Sequence, residues 1–484
     1  MTINKKQIEK FINDIESGDG DFFTHLYKDK FLYDAQSDGW MAFAGHNWKP
    51  THERAMFSFV EPLAKGYESL LSAGITFEKI YKFYKRRINH LRTTSGINSC
   101  LRLASGKLLY QGEWNTTPHL LPAQNGIINL KTGELRDGKP TDYFNFSIPT
   151  TYEKNAKAPR FEQFLQEIFP NDQEVIDFMQ RLFGYGLLGE STEHILPVLC
   201  GATGFNGKDT LLKAVSATLG DISGTVSSDI FIDSKSGTNA LVAAHQLKNL
   251  HIAYTSESAR EATLSSERVK HLTGNSPIAV KQLYKDLYTI KPKYLLLLLT
   301  NFAPQADAID DALWDRIVLV PFEQRFTDDP ILENEHPIDT QLDTKLKQEA
   351  PGILAWLVRG CVEYHKTGLN VPDKLKLSTI AYREQNDALL TFISEECETS
   401  PDYWIKTSDL QNAFKEFCGE NNHKNLTARE VKKKLSTLGY KYKRTTKNNT
   451  TIRIYEGLRL KPTIFDTPGE QVALEEFLEL NHKK

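Results

Sequence analysis

Lys208 follows a glycine-rich turn in the run GATGFNGKDT, Gly201–Thr210. A lysine at such a point reaches the β- and γ-phosphates of a bound nucleotide while the loop's backbone N–H groups cradle the rest. The spelling is unusual. The common pattern separates its two glycines by four residues and ends in Lys-Ser/Thr, whereas five residues lie between Gly201 and Gly207 and Asp209 stands where the hydroxyl is expected. Gly204 and Gly207 would allow a phosphate close to the backbone. Either Thr210 supplies the hydroxyl that coordinates Mg²⁺, or Asp209 takes the metal itself.

Three further side chains fit chemistry on ATP. The apolar run NLHIAYT leads into Ser256-Glu257-Ser258, and a carboxylate at a strand end can polarise an attacking water or hold Mg²⁺. The run YLLLLLT ends at Asn301, placing an amide that could orient the water or the γ-phosphate on the strand edge where open α/β sheets bind ligands. In DDALWDRIVLVPF, Arg316 precedes another strand; an arginine there could reach a neighbouring subunit's γ-phosphate, the plainer alternative being a surface ion pair.

Two segments have the composition of nucleic-acid contacts. VKQLYKDLYTIKPKY interleaves Lys281, Lys285, Lys291 and Lys293 with Tyr284, Tyr288 and Tyr294; lysines grip phosphates and aromatic rings stack on unpaired bases. Lys270 is a weaker candidate beside them. Between Lys424 and Lys461 twelve basic residues face only Glu430 and Glu456, in a chain whose net charge is −3, as expected of a dedicated polyanion-binding module. There Asn425–Leu438 reads as a helix with Leu426, Val431, Leu435 and Leu438 inward and Arg429, Lys432, Lys433 and Lys434 outward. A hairpin carrying Lys443, Arg444 and Lys447 follows. Helix then basic hairpin is the outline of a winged helix. YKFYKRRINHLR, Tyr81–Arg92, is also basic; a solvated face is preferred there to a DNA-contacting collar.

The elements that must position these groups are legible in outline. ILPVLC, NLHIAYT, YLLLLLT and IVLVPF are apolar throughout, as strands of a parallel sheet buried on both faces are, and helical stretches alternate with them. The fold class is α/β. The expected order is an α+β N-terminal domain over 1–158, the α/β domain over 159–370 with a helical lead-in at 159–193, a helical connector at 371–390, a winged-helix-like domain at 391–462, and an acidic amphipathic tail at 463–484. The turn LKTGEL after GIINL marks one hairpin. The longest apolar run is too short to span a bilayer, the N-terminus lacks a secretory core, and five scattered cysteines argue against disulfides or zinc. A cytoplasmic protein with no membrane association is expected.

The order GFNGKDT, YTSES, VKHLTGNSPIAVKQLYKD, LLLTNFAP and DDALWDRIVLVPF resembles the superfamily 3 AAA+ helicases. It is most similar to the phage, plasmid and poxvirus helicase–primase family, and by architecture to the replication initiator–helicases of staphylococcal pathogenicity islands. In that family the loop reads Gly-x-Asn-Gly-Lys-Ser/Thr, so Phe205 and Asn206 take their places in it and Asp209 is the departure. QNGIINLKTGEL through FGYGLLGEST resembles the family's pre-helicase domain. The resemblance implies an AAA+ P-loop NTPase core and an ATP- and Mg²⁺-dependent DNA helicase. It implies a homo-oligomeric ring, a hexamer, with Lys285 near the tip of a β-hairpin in the central channel on single-stranded DNA. Translocation 3′ to 5′ and a C-terminal domain on double-stranded origin DNA follow from it, in the cytoplasm of a bacterial host carrying a mobile genetic element.

Three rivals are weighed. An ATP-regulated origin-binding and melting protein would share every residue above without unwinding processively. A primase fusion would need more than Asp19 and Asp21, the only suggestive acidic pair, which fall in an expected loop. A protein-remodelling AAA+ machine fits the ATP residues but leaves both lysine-rich segments unexplained.

Overall fold

The computed structural model describes residues 4–72, 76–201, 204–231, 237–255, 263–282, 286–308, 310–421, 425–447 and 450–461. Its centre is a parallel sheet of five strands: β1 (Leu196–Cys200), β2 (Ser223–Val226), β3 (Ile252–Thr255), β4 (Leu295–Thr300) and β5 (Ile317–Pro321). Their order across the sheet is β5-β1-β4-β3-β2, every pairing parallel.

The composition of β4 follows from its place. It lies between β1 and β3, and successive side chains of a strand point to opposite faces. Leu295, Leu297 and Leu299 enter the core shared with the helix Lys208–Leu219, while Leu296 and Leu298 enter the core on the other face. With both faces covered, an unbroken leucine run is what burial selects. β2 pairs only with β3, so its SGTV sequence carries little apolar signal.

Because all strands run the same way, their carboxyl ends share one edge, where Gly201 and Asn301 begin their loops. The opposite edge holds the strand starts. There Arg316 immediately precedes β5, its carbonyl accepting from Leu196 N–H at 2.7 Å.

Helices Pro159–Ile168 and Gln173–Gly186 bury Phe161, Phe164, Phe178 and Leu182 in the same core as the helix Lys208–Leu219. Residues 371–390, expected as a connector, contain the helix Asp373–Gln385, which covers the edge strand: Thr379 Oγ1 accepts from Leu319 N–H at 2.9 Å. The next helix, Ala388–Glu396, already belongs to the C-terminal unit.

The N-terminal region has its own core, built on Phe22, Phe23, Trp40 and Tyr67, and a four-stranded sheet running Trp48–Pro50, Gly39–Phe43, Phe31–Asp34, Leu109–Tyr110. The GIINL turn forms the expected hairpin, Gly126–Asn129 against Glu134–Arg136. Asp19 and Asp21 lie in the helix Ile15–Tyr27 rather than a loop. Asp19 is 1% exposed and pairs with Arg87, with Tyr67 Oη donating to it at 3.0 Å, while Asp21 pairs with Lys107 at 2.6 Å. The two carboxylates are thus committed to separate structural pairs.

Candidate nucleotide site and nucleic-acid interface

The loop leaves β1 at Cys200 and enters the helix Lys208–Leu219, which buries Leu211, Leu212, Val215 and Leu219 beneath the sheet. Gly207 caps that helix with φ 88°, in the left-handed region that disfavours a side chain. A Cβ there would also meet Ile168 at 2.5 Å, so the lead-in helix braces the loop from behind. Phe205 holds φ 58° with its ring 74% exposed. Two consecutive-but-one residues in the left-handed region mark a loop held in shape by its surroundings. Part of that hold is Phe205 O accepting from Phe326 N–H at 2.8 Å.

Asn206 has a structural reason for standing before Gly207. It is 4% exposed, donates from Nδ2 to Gly201 O at 3.2 Å and accepts from Lys208 N–H at 3.4 Å. It closes the loop on itself, and a Cβ on Gly201 would strike its amide.

Lys208 is 3% exposed. Its Nζ lies 2.9 Å from Asn301 Oδ1, 3.0 Å from Thr300 O and 3.3 Å from Gly201 O. A buried ammonium needs such acceptors to offset lost hydration, and an amine with three donors can satisfy all three. The contact brings together the ends of β1 and β4, both on the carboxyl edge. Asp209 is exposed and Thr210 half-buried in the first helical turn, and Gly204 faces open space. A polyphosphate fits this donor set: an ammonium, a helix N-terminus and a loop with room above Gly204. Asp209 and Thr210 stand nearby for a metal, and Glu257 lies outside the described residues.

Arg316 is not part of this cluster. Ile317 pairs with Leu196 and Pro321 with Cys200, so Arg316 sits a strand length, roughly 16 Å by strand rise, from its own chain's loop. Among the described residues it makes no ion pair: it donates to Ala312 O, and its Nε is buried without a partner.

Beside the sheet, Ile278–Lys281 and Leu287–Ile290 form an antiparallel hairpin with Lys281 opposite Leu287. Tyr284 and Lys285 lie outside the described residues. Two of the tyrosines grouped with them serve packing instead. Tyr288 Oη bonds His245 Nδ1 at 2.6 Å, and Tyr294, 3% exposed, donates to Leu272 O at 3.0 Å. Lys270 is taken by Asp310 at 2.7 Å.

In the C-terminal unit, Cys397–Lys406, Thr450–Leu460 and Lys441–Lys447 form an antiparallel sheet in that order, against helices Ala388–Glu396, Thr407–Glu420 and Ala428–Thr437. Thr427 and Glu430 form a capping box that starts the last helix. Val431 and Leu435 are buried at i, i+4, whereas Leu438, expected inward, is 44% exposed because the helix has ended. Arg429, Lys432, Lys433 and Arg444 are exposed. Lys432 lies over the Tyr442 ring at 3.7 Å and Lys443 pairs with Glu456 at 2.5 Å. Lys434, expected outward, is turned in to Asp387 at 2.5 Å and ties the helix to the start of the unit. Lys447 ends its strand.

Both flanking units match D5 family models. Residues 20–170 match "D5 N terminal like" and residues 384–456 match "Poxvirus D5 protein-like". Among curated relatives, "Putative helicase L207/L206" of Acanthamoeba polyphaga mimivirus is 26% identical over 294 residues, covering 57% of this chain and 30% of that protein. "Putative helicase 022R" of Frog virus 3 is 22% identical over 420 residues, covering 70% of this chain and 43% of that protein. The chain thus spans less than half the length of these relatives. The solved C-terminal region of NrS-1 is 12% identical, with a TM-score of 0.44 over 88% of this chain and 95% of that one. No helix among the described residues is long and apolar enough to cross a membrane.

Some functional contacts carried no sequence signal. Thr300 and Gly201 hold Lys208 through backbone carbonyls, and any residue type supplies a carbonyl. The pairing of Asp387 with Lys434 likewise needs the folded unit.

Proposed function

We propose that this chain is the ATP-driven motor of a DNA helicase that also initiates replication of a mobile genetic element in the bacterial cytoplasm. The observation that carries the reading is the buried Lys208 ammonium, set on a left-handed glycine cap at the end of β1 and 2.9 Å from Asn301 at the end of β4. The resemblance of both flanking units to D5 proteins, and of the chain to proteins named helicases, supports it. The central domain is read as an AAA+ core and the C-terminal unit as a winged helix.

Bound MgATP supplies the phosphoanhydride to be cleaved. Lys208 and the loop N–H groups neutralise phosphate charge, and Thr210 or Asp209 holds the metal. Asn301 orients the water or the γ-phosphate, and Glu257 polarises the water. Arg316 faces away from its own site, as a residue serving a neighbour's site in a closed hexameric ring would. The hairpin bearing Lys281, Tyr284 and Lys285 grips single-stranded DNA in the channel, and hydrolysis moves it 3′ to 5′. Lys432, Lys433, Lys443, Arg444 and Lys447 bind origin duplex.

The test is strand displacement with ATP on 3′- and 5′-tailed forks that lack an origin. Unwinding of the 3′-tailed fork, lost in Lys285→Ala with basal hydrolysis kept, is the expected result. A protein that hydrolyses ATP yet separates neither fork is instead an ATP-regulated origin-melting protein. The C-terminal unit, with Arg429, Lys432, Lys433 and Arg444 exposed on a core of its own, favours that second reading.

A further inference from the structure

The hairpin of Ile278–Lys281 and Leu287–Ile290 has two unlike faces, and its register fixes which residue stands on which. Residues directly opposite in an antiparallel pair point to one side, and that side alternates along the strand. Ile278 with Ile290 and Val280 with Tyr288 form the face packed on the core of the sheet domain. Ala279 with Thr289 and Lys281 with Leu287 form the other. Ala279 and Thr289 are small and exposed. Leu287 is 57% exposed and is the one large apolar side chain of that face among the described residues.

The fold itself makes little use of this leucine. On a solvent face it adds nothing to the core, and without a β-branch it does little for the strand. The rings a base contact would draw on are spent elsewhere: Tyr288 bonds His245, and Tyr294 is buried against Leu272. The cations are sorted as well. Lys270 is held by Asp310 and Lys248 lies over the Tyr288 ring at 5.4 Å, whereas Lys281, among the described residues, makes no ion pair. The exposed Asp286 stands before the paired stretch, outside this register. Lys281 and Leu287 are therefore side by side on one surface, their Cβ atoms roughly 5 Å apart by cross-strand geometry.

A face made for another protein is depleted of lysine at its centre. A nucleic-acid contact sets cations against phosphates and apolar groups against bases, and leucine is among the side chains that wedge between base steps. We infer that Leu287 is the base contact of this hairpin, packing against the bases of the strand whose backbone Lys281 holds. Leu287 has this role only if the hairpin is the single-strand contact proposed above, and the experiment separates the two.

The test is oligonucleotide binding by the full chain without nucleotide, read by fluorescence anisotropy across a salt series, with excess unlabelled blunt duplex present to occupy the C-terminal unit. A fluorescein-labelled oligo(dT) is compared with a strand of the same length and charge in which every sugar is abasic. Leu287→Ala is expected to bind oligo(dT) about fivefold more weakly, the scale for losing part of a buried leucine side chain, with the salt slope kept. On the abasic strand it should match the parent. Leu287→Phe should recover binding of oligo(dT), because a ring also packs on bases. Lys281→Ala should weaken binding of both strands and lower the slope of log affinity against log salt by about 0.7.

Equal binding of oligo(dT) by Leu287→Ala and the parent, with Lys281→Ala weakened, overturns the role of Leu287 and leaves the hairpin reading standing. No change in any variant overturns both. An equal loss on the two strands assigns Leu287 to the shape of the hairpin, and a loss that tracks loss of assembly in light scattering assigns it to a second copy of the chain. Either result overturns the inference.

Discussion

Lys208 Nζ and Asn301 Oδ1 stand 2.9 Å apart although 93 residues separate them in sequence. The contact joins the glycine-rich loop to the end of the neighbouring strand, so any ligand that draws the ammonium away must also alter Asn301. Lys208→Ala should abolish ATP turnover. Asn301→Ala should retain nucleotide binding and lower kcat by about 100- to 1,000-fold, the scale for loss of one oriented polar group. Turnover undiminished in Lys208→Ala would refute the site.

Arg316 lies at the opposite sheet edge from its own Lys208, which gives a test of the ring. Arg316→Ala and Lys208→Ala should each be inactive alone. Mixed, they should regain part of the turnover, because a protomer with an intact loop can meet one with an intact arginine. A loss of several orders of magnitude in the single variant is expected of such a residue. Absence of rescue at every mixing ratio would count against an interface role.

In the C-terminal unit the lysines differ in what they can offer DNA. Lys433→Glu with Arg444→Glu should lower duplex affinity and reduce the salt slope by roughly 2, about 0.9 per lost phosphate contact. Lys434→Ala should instead destabilise the unit by about 1.5 kcal/mol, because Asp387 loses its charged partner and keeps only the N–H groups of Leu389 and Leu390. Equal loss of DNA binding in both, with no change in unfolding midpoint, would contradict the assignment.

Asp19→Asn should cost about 3–5 kcal/mol of stability by leaving Arg87 buried without its counter-charge. Chemical denaturation of the full chain reads this directly. A variant as stable as the parent would show that the pair is dispensable.

His251 packs against Phe146 and Gly189, its Nδ1 3.0 Å from Leu187 O. Burial pushes its pKa down from 6.5 to about 4, against the pull of Leu187 O and with a smaller push from Lys293. The folded state therefore binds fewer protons than the unfolded state between those values. This contribution is full above about pH 6.5 and is lost as pH falls towards 4, by on the order of 3 kcal/mol. Denaturation midpoints should fall across that window in the parent and much less in His251→Asn; parallel curves would remove His251 as the cause.

The sequence by itself marked the glycine-rich loop before Lys208, four of the five central strands and the basic character of the C-terminal unit. These are local signals: glycine and lysine at fixed spacing, apolar runs, a density of charge. Tertiary structure decided which charges are free. Lys433 and Lys434 are neighbours in one lysine run, yet one is exposed and the other is held by Asp387. Tyr288 and Tyr294 look like stacking rings in sequence and are packing residues in the fold. It also decided that Lys208 meets Asn301 while Arg316 does not, because parallel pairing sends the ends of β1 and β4 to one edge and the start of β5 to the other. β2 went unread because an edge strand needs little apolar sequence. Pairings between distant residues depend on chain crossings that no local pattern encodes.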